Sequence, residues 1–432
     1  MRLRDRLIKG TALNLIAVAF NQGSTLIVNI IVARILMKEA FGEYAMVQST
    51  LLTVATLSQL ASGYTASKYV AEYRSSDPQR AGRIMGVCAI VSALMAGVGA
   101  ILLIAMAHWL SSNMLKAPHL AVALMIGSGF LFFSSINGYQ TGVLSGLEAY
   151  GSLAKAGVVS GIVAVAAIAL GAWWDGLNGT LIGLSISALV RCAIHNRWLR
   201  LESRVQDIKP QYRGSFSQEK AIIFKFALPA AIAGYYSMPM IWLANSFLVR
   251  QPGGYGEMAL YAAAVNIKGF ALYMPAIING VMSSVLNHMK GIDSLQRYKR
   301  LYKFNVLLTF LITMAIALIL GIFGNLFLGL FGKSFTAART ILLVVLVSSI
   351  LETTGGAIHQ YIQSHGKMWL SFAFINLPVV FVFVFVAFFI VPKLGALGLG
   401  IANVIMSMLQ LFVTGMLAYY INRREKILKI EY

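Results

Sequence analysis

The sequence predicts an all-α integral membrane protein with twelve transmembrane helices, arranged as two six-helix lobes related by a pseudo-two-fold axis along the membrane normal. Three observations lead to this fold class. Hydrophobic residues form 58% and charged residues only 12% of the 432 residues, whereas soluble domains have about 25% charged residues. Uncharged stretches of membrane-crossing length recur along the chain, and features of the first half return in register in the second.

The individual spans follow from the positions of the charged residues, because a helix needs about 20 apolar residues to cross the hydrocarbon layer. Ten uncharged stretches are candidates, and two more contain one charge each, Lys268 and Glu352. In chain order the twelve predicted spans lie within 10–33, 44–67, 84–115, 117–147, 156–174, 176–190, 226–249, 258–289, 304–332, 340–366, 368–392 and 394–422.

The distribution of basic residues predicts that both termini are cytoplasmic. With that orientation, 27 lysines and arginines fall on the cytoplasmic side and seven on the other, which is the bias of the positive-inside rule. The net charge of +20 therefore indicates topology, and no nucleic-acid partner is expected. The amides of the first span and the lack of a small-x-small cleavage site favour an uncleaved first helix. Cys88 falls inside the third span and Cys192 lies two residues after the sixth, so we expect no disulfide, metal or cofactor.

A hydrophilic stretch divides the chain into two halves. Residues 195–220 are predicted to be a cytoplasmic linker between an N-lobe (1–194, spans 1 to 6) and a C-lobe (221–432, spans 7 to 12). FGEY at Phe41 and YGEM at Tyr255 place Gly42 and Gly256 214 residues apart. We predict that each phrase forms the tight outer turn between the first two spans of its half, with glycine allowing the reversal.

The stretch VARILMKEAFGEYAMVQSTLLTVATLSQLASGYTASKYVAEYR, which begins at Val32, resembles the start of bacterial Wzx-like polysaccharide-repeat (O-antigen) flippases. These belong to the superfamily that also contains multidrug-and-toxin extruders. The resemblance extends over the whole chain as a pattern of spans and lobes. It implies translocation of an undecaprenyl-pyrophosphate-linked oligosaccharide from the cytoplasmic to the periplasmic leaflet of the inner membrane. It also implies a monomer that works beside polysaccharide polymerase or ligase machinery.

Polar side chains inside the predicted spans could line a path for such a substrate, because sugar hydroxyls and a diphosphate need polar partners within hydrocarbon. The candidates for substrate binding are Asn14, Asn21 and Asn29 on span 1, Gln48 and Gln59 on span 2, and Lys268 and Asn279 on span 8. The resemblance places spans 1, 2, 7 and 8 around a central cleft. The alternative is that the amides hold neighbouring helices together.

Lys268 is the most specific of these signals. It lies eleven residues after Glu257, about 16 Å into a helix that starts at the outer face, and hence near the membrane midplane. A cation at that depth normally faces a cavity or a partner. Lys268 is therefore either a cation that attracts the pyrophosphate or the partner of Glu352 in a structural pair.

Three further charged or titratable residues have two interpretations each. Glu352 and His359 on span 10 could form a proton or sodium relay, or Glu352 could pair with Lys268. Arg34, at the outer end of span 1, could contact the headgroup or extend to the membrane interface as long basic side chains commonly do.

Other functions fit the sequence less well. A cation-coupled multidrug exporter usually needs an acidic lumen, and no Asp or Glu lies between Asp5 and Glu39. A membrane glycosyltransferase or polymerase needs paired catalytic acids, and the sequence has 15 acidic residues and no Asp-x-Asp, so we do not expect an enzyme. An ATP site is not indicated, because Phe327 stands where the P-loop ending at Ser334 requires glycine.

Overall fold

The fold was obtained as a computed structural model, which describes residues 3–212, 215–228, 231, 234, 236–289, 295–365 and 367–428. These residues form helices and turns, with no strand among them. The chain divides into two compact units, unit 1 (Met1–Trp242) and unit 2 (Leu243–Tyr432).

The helices of unit 1 are α1 (Leu3–Ser58), α2 (Ser62–Tyr73), α3 (Pro78–Trp109), α4 (Leu120–Gly146), α5 (Tyr150–Val205) and α6 (Ser215–Ile222). Helix α7 (Ser237–Val249) crosses the boundary between the units. Unit 2 continues with α8 (Gly254–Met289), α9 (Leu295–Ile322), α10 (Gly324–Phe331), α11 (Arg339–Ser364), α12 (Met368–Ser371) and α13 (Leu377–Leu428). Single π-helical turns follow α3, α6 and α12, and a 3₁₀ segment (Lys333–Ala338) precedes α11.

Three helices are too long for one membrane crossing, and each contains a break. Helices α1 and α5 have 56 residues and α13 has 52. A straight helix of 56 residues would be about 84 Å long, against a hydrocarbon thickness of about 30 Å. The backbone leaves helical angles at Met37 in α1, at Asp175 and Gly176 in α5, and at Gly395 in α13.

The described residues include seven helical segments that are long and apolar enough to span a membrane, so the chain is a multi-pass membrane protein. They are Pro78–Met114, Leu120–Gly146, Tyr150–Val205, Gly254–Gly280, Arg300–Ile322, Lys333–Ser364 and Trp369–Arg423. Two of these contain one of the breaks described above.

The prediction for the glycine-glutamate phrases was wrong about where the chain turns. The non-helical residue in α1 is Met37 (φ 67°), five positions before Gly42, and the left-handed residue before α8 is Gly253 (φ 67°). Gly42 lies within the second part of α1, and Gly256 lies in the first turn of α8. Both glycines are buried, so they allow close packing after the turn.

The last long helix of each unit breaks in nearly the same conformation. Gly176 has φ 50° and ψ −125°, and Gly395 has φ 54° and ψ −133°. Only glycine adopts such angles without strain. The equivalent positions are therefore 219 residues apart, which supports an internal repeat.

Close backbone contacts explain several other glycines of unit 1. A Cβ on Gly63 of α2 would lie 2.5 Å from the carbonyl oxygen of Gly138 in α4, and one on Gly142 would lie 2.0 Å from that of Gly63. Small residues let membrane helices approach this closely. Close packing stabilises their association, because lipid provides no hydrophobic force to drive it.

The segment after α5 packs on the start of α3. The backbone N–H of Gln211 donates to the Gly82 carbonyl oxygen at 3.0 Å. A Cβ added to Gly86 would lie 1.7 Å from the backbone carbonyl oxygen of Gln211. The Glu219 carboxylate is buried and accepts from Arg80 Nε at 3.3 Å and lies 3.4 Å from Arg83 Nε. Helix α5 continues to Val205, so the first part of the stretch 195–220 is helical.

Candidate functional site

The candidate site centres on Lys268 in unit 2. Its Nζ lies 2.9 Å from Oε2 of Glu352 and donates to Oδ1 of Asn403 at 3.0 Å. These partners come from α11 and α13, so three helices meet at the ammonium group. Among the residues whose side chains the structure describes, Lys268 is the one buried lysine or arginine.

The local sequence of α8 explains why the lysine is buried. Ala263, Ala264, Ile267 and Ala271 surround it along the helix and are themselves buried, so α8 lies close to its neighbours at this depth. Tyr261, two turns earlier on the same face, is buried as well, and its hydroxyl interacts with Asn403 near Glu352. Asn403 therefore interacts with both the Lys268 ammonium group and the Tyr261 hydroxyl group.

The two charges of the pair differ in their access to surrounding space. The Lys268 side chain is 7% exposed, and that of Glu352 is 37% exposed. An unpaired charge is costly within the membrane, so the cation needs the carboxylate more than the carboxylate needs the cation. The sequence left open whether Lys268 pairs with Glu352, and in the structure it does.

Asn279 belongs to a separate polar network among α8, α9 and α11. Its Oδ1 accepts from Asn305 Nδ2 at 3.1 Å and from Thr309 Oγ1 at 3.3 Å, and its carbonyl oxygen accepts from Gln360 Nε2 at 2.8 Å. Asn305 and Thr309 are fully buried. The contacts of Asn279 match those of an amide that joins helices.

Glu352 and His359 have different partners. The imidazole of His359 is hydrogen-bonded through Nε2 to the Ser371 hydroxyl at the end of α12, whereas Glu352 faces Lys268. Both residues lie on α11, two turns apart. The relay predicted from the sequence remains a hypothesis.

The predicted site residues of unit 1 have their own surroundings. Asn29 is buried in α1, and Gln48 donates to the Tyr44 hydroxyl oxygen at 3.0 Å. The Gln59 side chain lies against Gly138 of α4. A Cβ added to Gly138 would lie 2.4 Å from Oε1 of Gln59. Arg34 is exposed. The side chains of Asn14 and Asn21 lie outside the described residues.

Sequence reasoning missed Asn403 and the partners of Asn279. Asn403 lies 135 residues after Lys268, and no local pattern connects the two positions. The one available signal was an amide in the apolar stretch LGIANVIM, which is costly in a membrane helix unless it has a partner. Asn305, Thr309 and Thr313 follow helical spacing on α9 and give a similar signal.

The family is decided by a match of residues 7–286 to the model of a family described as polysaccharide biosynthesis protein. The chain belongs to this polysaccharide biosynthesis protein family. The match covers more than half of the chain, including nearly all of unit 1 and the part of α8 that carries Lys268. No curated protein sequence matches the chain significantly.

Several solved structures that are similar to this chain are transporters. An inward-facing multidrug resistance MATE family transporter of the MOP superfamily has 18% identity and a TM-score of 0.77, with 96% of this chain and 99% of that chain covered. A eukaryotic MATE transporter has 14% identity and a TM-score of 0.71, with 95% of each chain covered. A MOP superfamily transporter from Pyrococcus furiosus has 17% identity and a TM-score of 0.64, with 96% and 95% covered. The protein therefore has the fold of MOP superfamily transporters.

Proposed function

We propose that this protein is a flippase that moves an undecaprenyl-pyrophosphate-linked oligosaccharide, such as an O-antigen repeat unit, from the cytoplasmic to the periplasmic leaflet by alternating access. Membership of a polysaccharide biosynthesis family and the MOP transporter fold support the class of protein. The observation that carries the substrate assignment is the buried ammonium group of Lys268 within a membrane helix. A fixed cation in a low-dielectric setting attracts an anion such as a diphosphate.

The twelve-span, two-lobe arrangement is part of this proposal. The breaks at Met37, Gly176 and Gly395 support counting α1, α5 and α13 as two spans each. Helices α3, α4, α8, α9 and α11, together with the apolar stretch 226–249, supply the other six. An even number of spans would place both termini on one side of the bacterial inner membrane, and the basic residues favour the cytoplasmic side. The linker 195–220 would separate the two lobes.

Glu352 would act as the exchangeable counter-ion of Lys268. Its Oε2 lies 2.9 Å from Nζ, and a phosphate oxygen of the substrate would replace it there. Its exposure of 37% gives it room to move away, whereas Lys268 is held by its burial and by Asn403. Diphosphate binding would displace the carboxylate, and departure of the diphosphate would restore the ion pair. Protonation of Glu352 would favour the bound state, which would couple transport to a proton.

Asn29, Gln48, Gln59, Asn279 and the N-terminal amides Asn14 and Asn21 are proposed to contact the oligosaccharide during the cycle. Arg34 is exposed and would meet the headgroup as it leaves. His359 is proposed as a second group in ion coupling. The substrate lies in the membrane, and polymerase or ligase machinery would receive it on the periplasmic side from a monomeric flippase.

A cation-coupled exporter of drugs or other small molecules is the second candidate, because similar solved structures are multidrug resistance transporters. Such a protein would use Glu352 to bind a cationic substrate. The fixed positive charge of Lys268, 2.9 Å from the carboxylate, would repel such a substrate and so argues against this role.

Deletion of the gene tests the proposal. We expect lipid-linked oligosaccharide to accumulate in the cytoplasmic leaflet and surface polysaccharide to be lost. Complementation by the wild-type gene and by Lys333→Ala, which removes an exposed cation, should restore export, whereas Lys268→Ala should not. Unchanged surface glycan together with altered dye efflux would favour the exporter.

A further inference from the structure

A groove on unit 2 lies between α9 and α11, and neither Lys268 nor Glu352 belongs to its lining. Its volume is about 310 Å³, at the lower end of the range for small-ligand sites, roughly 300 to 1,000 Å³. Val306, Leu307 and Phe310 of α9 form one wall, and Ile358 of α11 contributes to the other. The groove is open along one side, and its apolar lining suits a hydrocarbon chain.

One polar residue of the groove lining already uses its hydrogen-bond donor. Thr354 also lines the groove, but its hydroxyl donates to the Ile350 carbonyl oxygen of its own helix at 2.7 Å. Its hydroxyl hydrogen is therefore not available to a ligand. The lining between Val306 and Phe310 is apolar and offers a sugar or a peptide few partners, whereas an alkyl chain needs none.

One end of the groove carries a positive charge. Lys303 belongs to its lining, and Arg300 lies one turn earlier on α9, on the same face and exposed like Lys303. Tyr302 closes this end and packs on Tyr361 of α11, with ring centroids 5.2 Å apart. Tyrosines gather at the membrane–water interface, so this end is at headgroup depth.

The side of the membrane follows from the charge distribution of the sequence, which places the start of α9 in the cytoplasm. The apolar membrane segment of this helix begins at Arg300, beside the basic pair. Basic pockets between membrane helices on the cytoplasmic side suit anionic lipid headgroups. Charge and depth therefore agree on the kind of ligand.

We propose that this groove binds an anionic phospholipid of the cytoplasmic leaflet, with one acyl chain against Val306, Leu307 and Phe310 and the phosphate at Lys303 and Arg300. Its lining contains none of the residues proposed to contact the oligosaccharide, and the proposal does not depend on the flippase assignment. A lipid bound there would fill the space between α9 and α11 and stabilise unit 2.

The test is native mass spectrometry of the full-length protein, titrated with phosphatidylglycerol and with phosphatidylcholine of the same acyl chains. We expect the wild type to retain phosphatidylglycerol several-fold better. Lys303→Ala should abolish this preference, and Leu307→Trp, which fills the groove from an exposed position, should reduce the retention of both lipids. Lys333→Ala, an exposed cation outside the groove, should match the wild type.

Three results would overturn the proposal. The first is equal retention of both lipids by the wild type, and the second is unchanged retention by Lys303→Ala and Leu307→Trp. The third is displacement of phosphatidylglycerol by a polyprenyl phosphate at a much lower concentration, which would assign the groove to the carrier lipid. Thermal unfolding of each variant identifies any that are misfolded, and Lys303→Ala is at an exposed position that tolerates truncation.

Discussion

Lys268 combines a buried ammonium group with a carboxylate partner that remains partly exposed. This difference in exposure makes the two residues unequal in their effects on stability. Removing Glu352 leaves a nearly buried cation with one neutral partner, Asn403, whereas removing Lys268 leaves a carboxylate that is partly exposed. Uncompensated buried charge is the more costly of the two.

We therefore expect Glu352→Gln to lower the free energy of unfolding by roughly 1 to 3 kcal/mol, and Lys268→Met to lower it by less. The expected loss is below the roughly 3 to 5 kcal/mol for breaking a fully buried pair, because Glu352 is partly exposed. The double variant should recover part of the loss, because an apolar and a neutral residue replace the pair. Thermal unfolding of the purified protein in detergent measures this order. A larger loss for Lys268→Met, or strictly additive effects in the double variant, would show that the pair does not have this asymmetry.

The residues of the pair could be predicted individually, but their surroundings could not. Lys268 and Glu352 stand out because each interrupts an apolar span. A charge inside a membrane helix is costly and normally has a partner or a function. The role of Asn403 depends on the packing of α8 against α13, which a local pattern does not encode. The same limit applies to Asn279, whose partners lie on α9 and α11.

At the scale of helices, the repeated glycine-glutamate phrase has two different structural roles. Glu257 accepts from the Ala396 amide at 3.0 Å, directly after the break at Gly395, and so caps the second part of α13. Glu43 instead contacts Nε2 of His119, whose side chain is 63% exposed. The sequence repeat thus predicted equivalent positions, while the contacts diverged.

Glu257→Ala should cost about 1 kcal/mol of stability, as loss of a helix cap does, and Glu43→Ala should cost less because exposed ion pairs contribute little. The two variants are matched controls for each other, since both remove a carboxylate from the same phrase. Unfolding midpoints and limited proteolysis near residue 395 report the difference. A lower unfolding midpoint for Glu43→Ala than for Glu257→Ala would show that the proposed cap does not stabilise the protein.

The contact of the linker with α3 gives a second comparison between helix positions. Gly86 touches the Gln211 carbonyl oxygen, whereas a Cβ added to Gly97 of the same helix would meet nothing within 4 Å. Gly86→Ala should displace the segment 209–212 and increase cleavage by chymotrypsin after Tyr212, which is exposed. Gly97→Ala should leave cleavage unchanged, because alanine adds only helix propensity there. Equal cleavage of both variants would show that the linker does not depend on this contact.

For the whole molecule, composition and span length were sufficient to predict a multi-pass helical protein. The helices do not correspond one to one to the predicted spans, because three long helices each contain a break at which the chain changes direction. Gly176 and Gly395 are glycines, as such angles require, but Met37 adopts a positive φ without that signal. The sequence accordingly suggested Gly42 as the turn.

The predicted topology can be measured by cysteine labelling in a background in which Cys88 and Cys192 are replaced. Thr336→Cys, in the exposed segment before α11, should react with a membrane-impermeant maleimide in intact cells. Arg200→Cys, exposed near the end of α5, should react only in inverted vesicles. The opposite pattern would reverse the orientation predicted from the charges.

The central claim is that Lys268 binds the diphosphate of a lipid-linked oligosaccharide during translocation. The most direct measurement is the rate at which such a lipid becomes accessible on the far side of proteoliposomes that contain the purified protein. We expect the wild type and Lys333→Ala to translocate it, and Lys268→Ala to be slower by about tenfold or more, equivalent to ~1.4 kcal/mol. A wild-type rate equal to that of protein-free vesicles, or full activity of a folded Lys268→Ala variant, would contradict the claim.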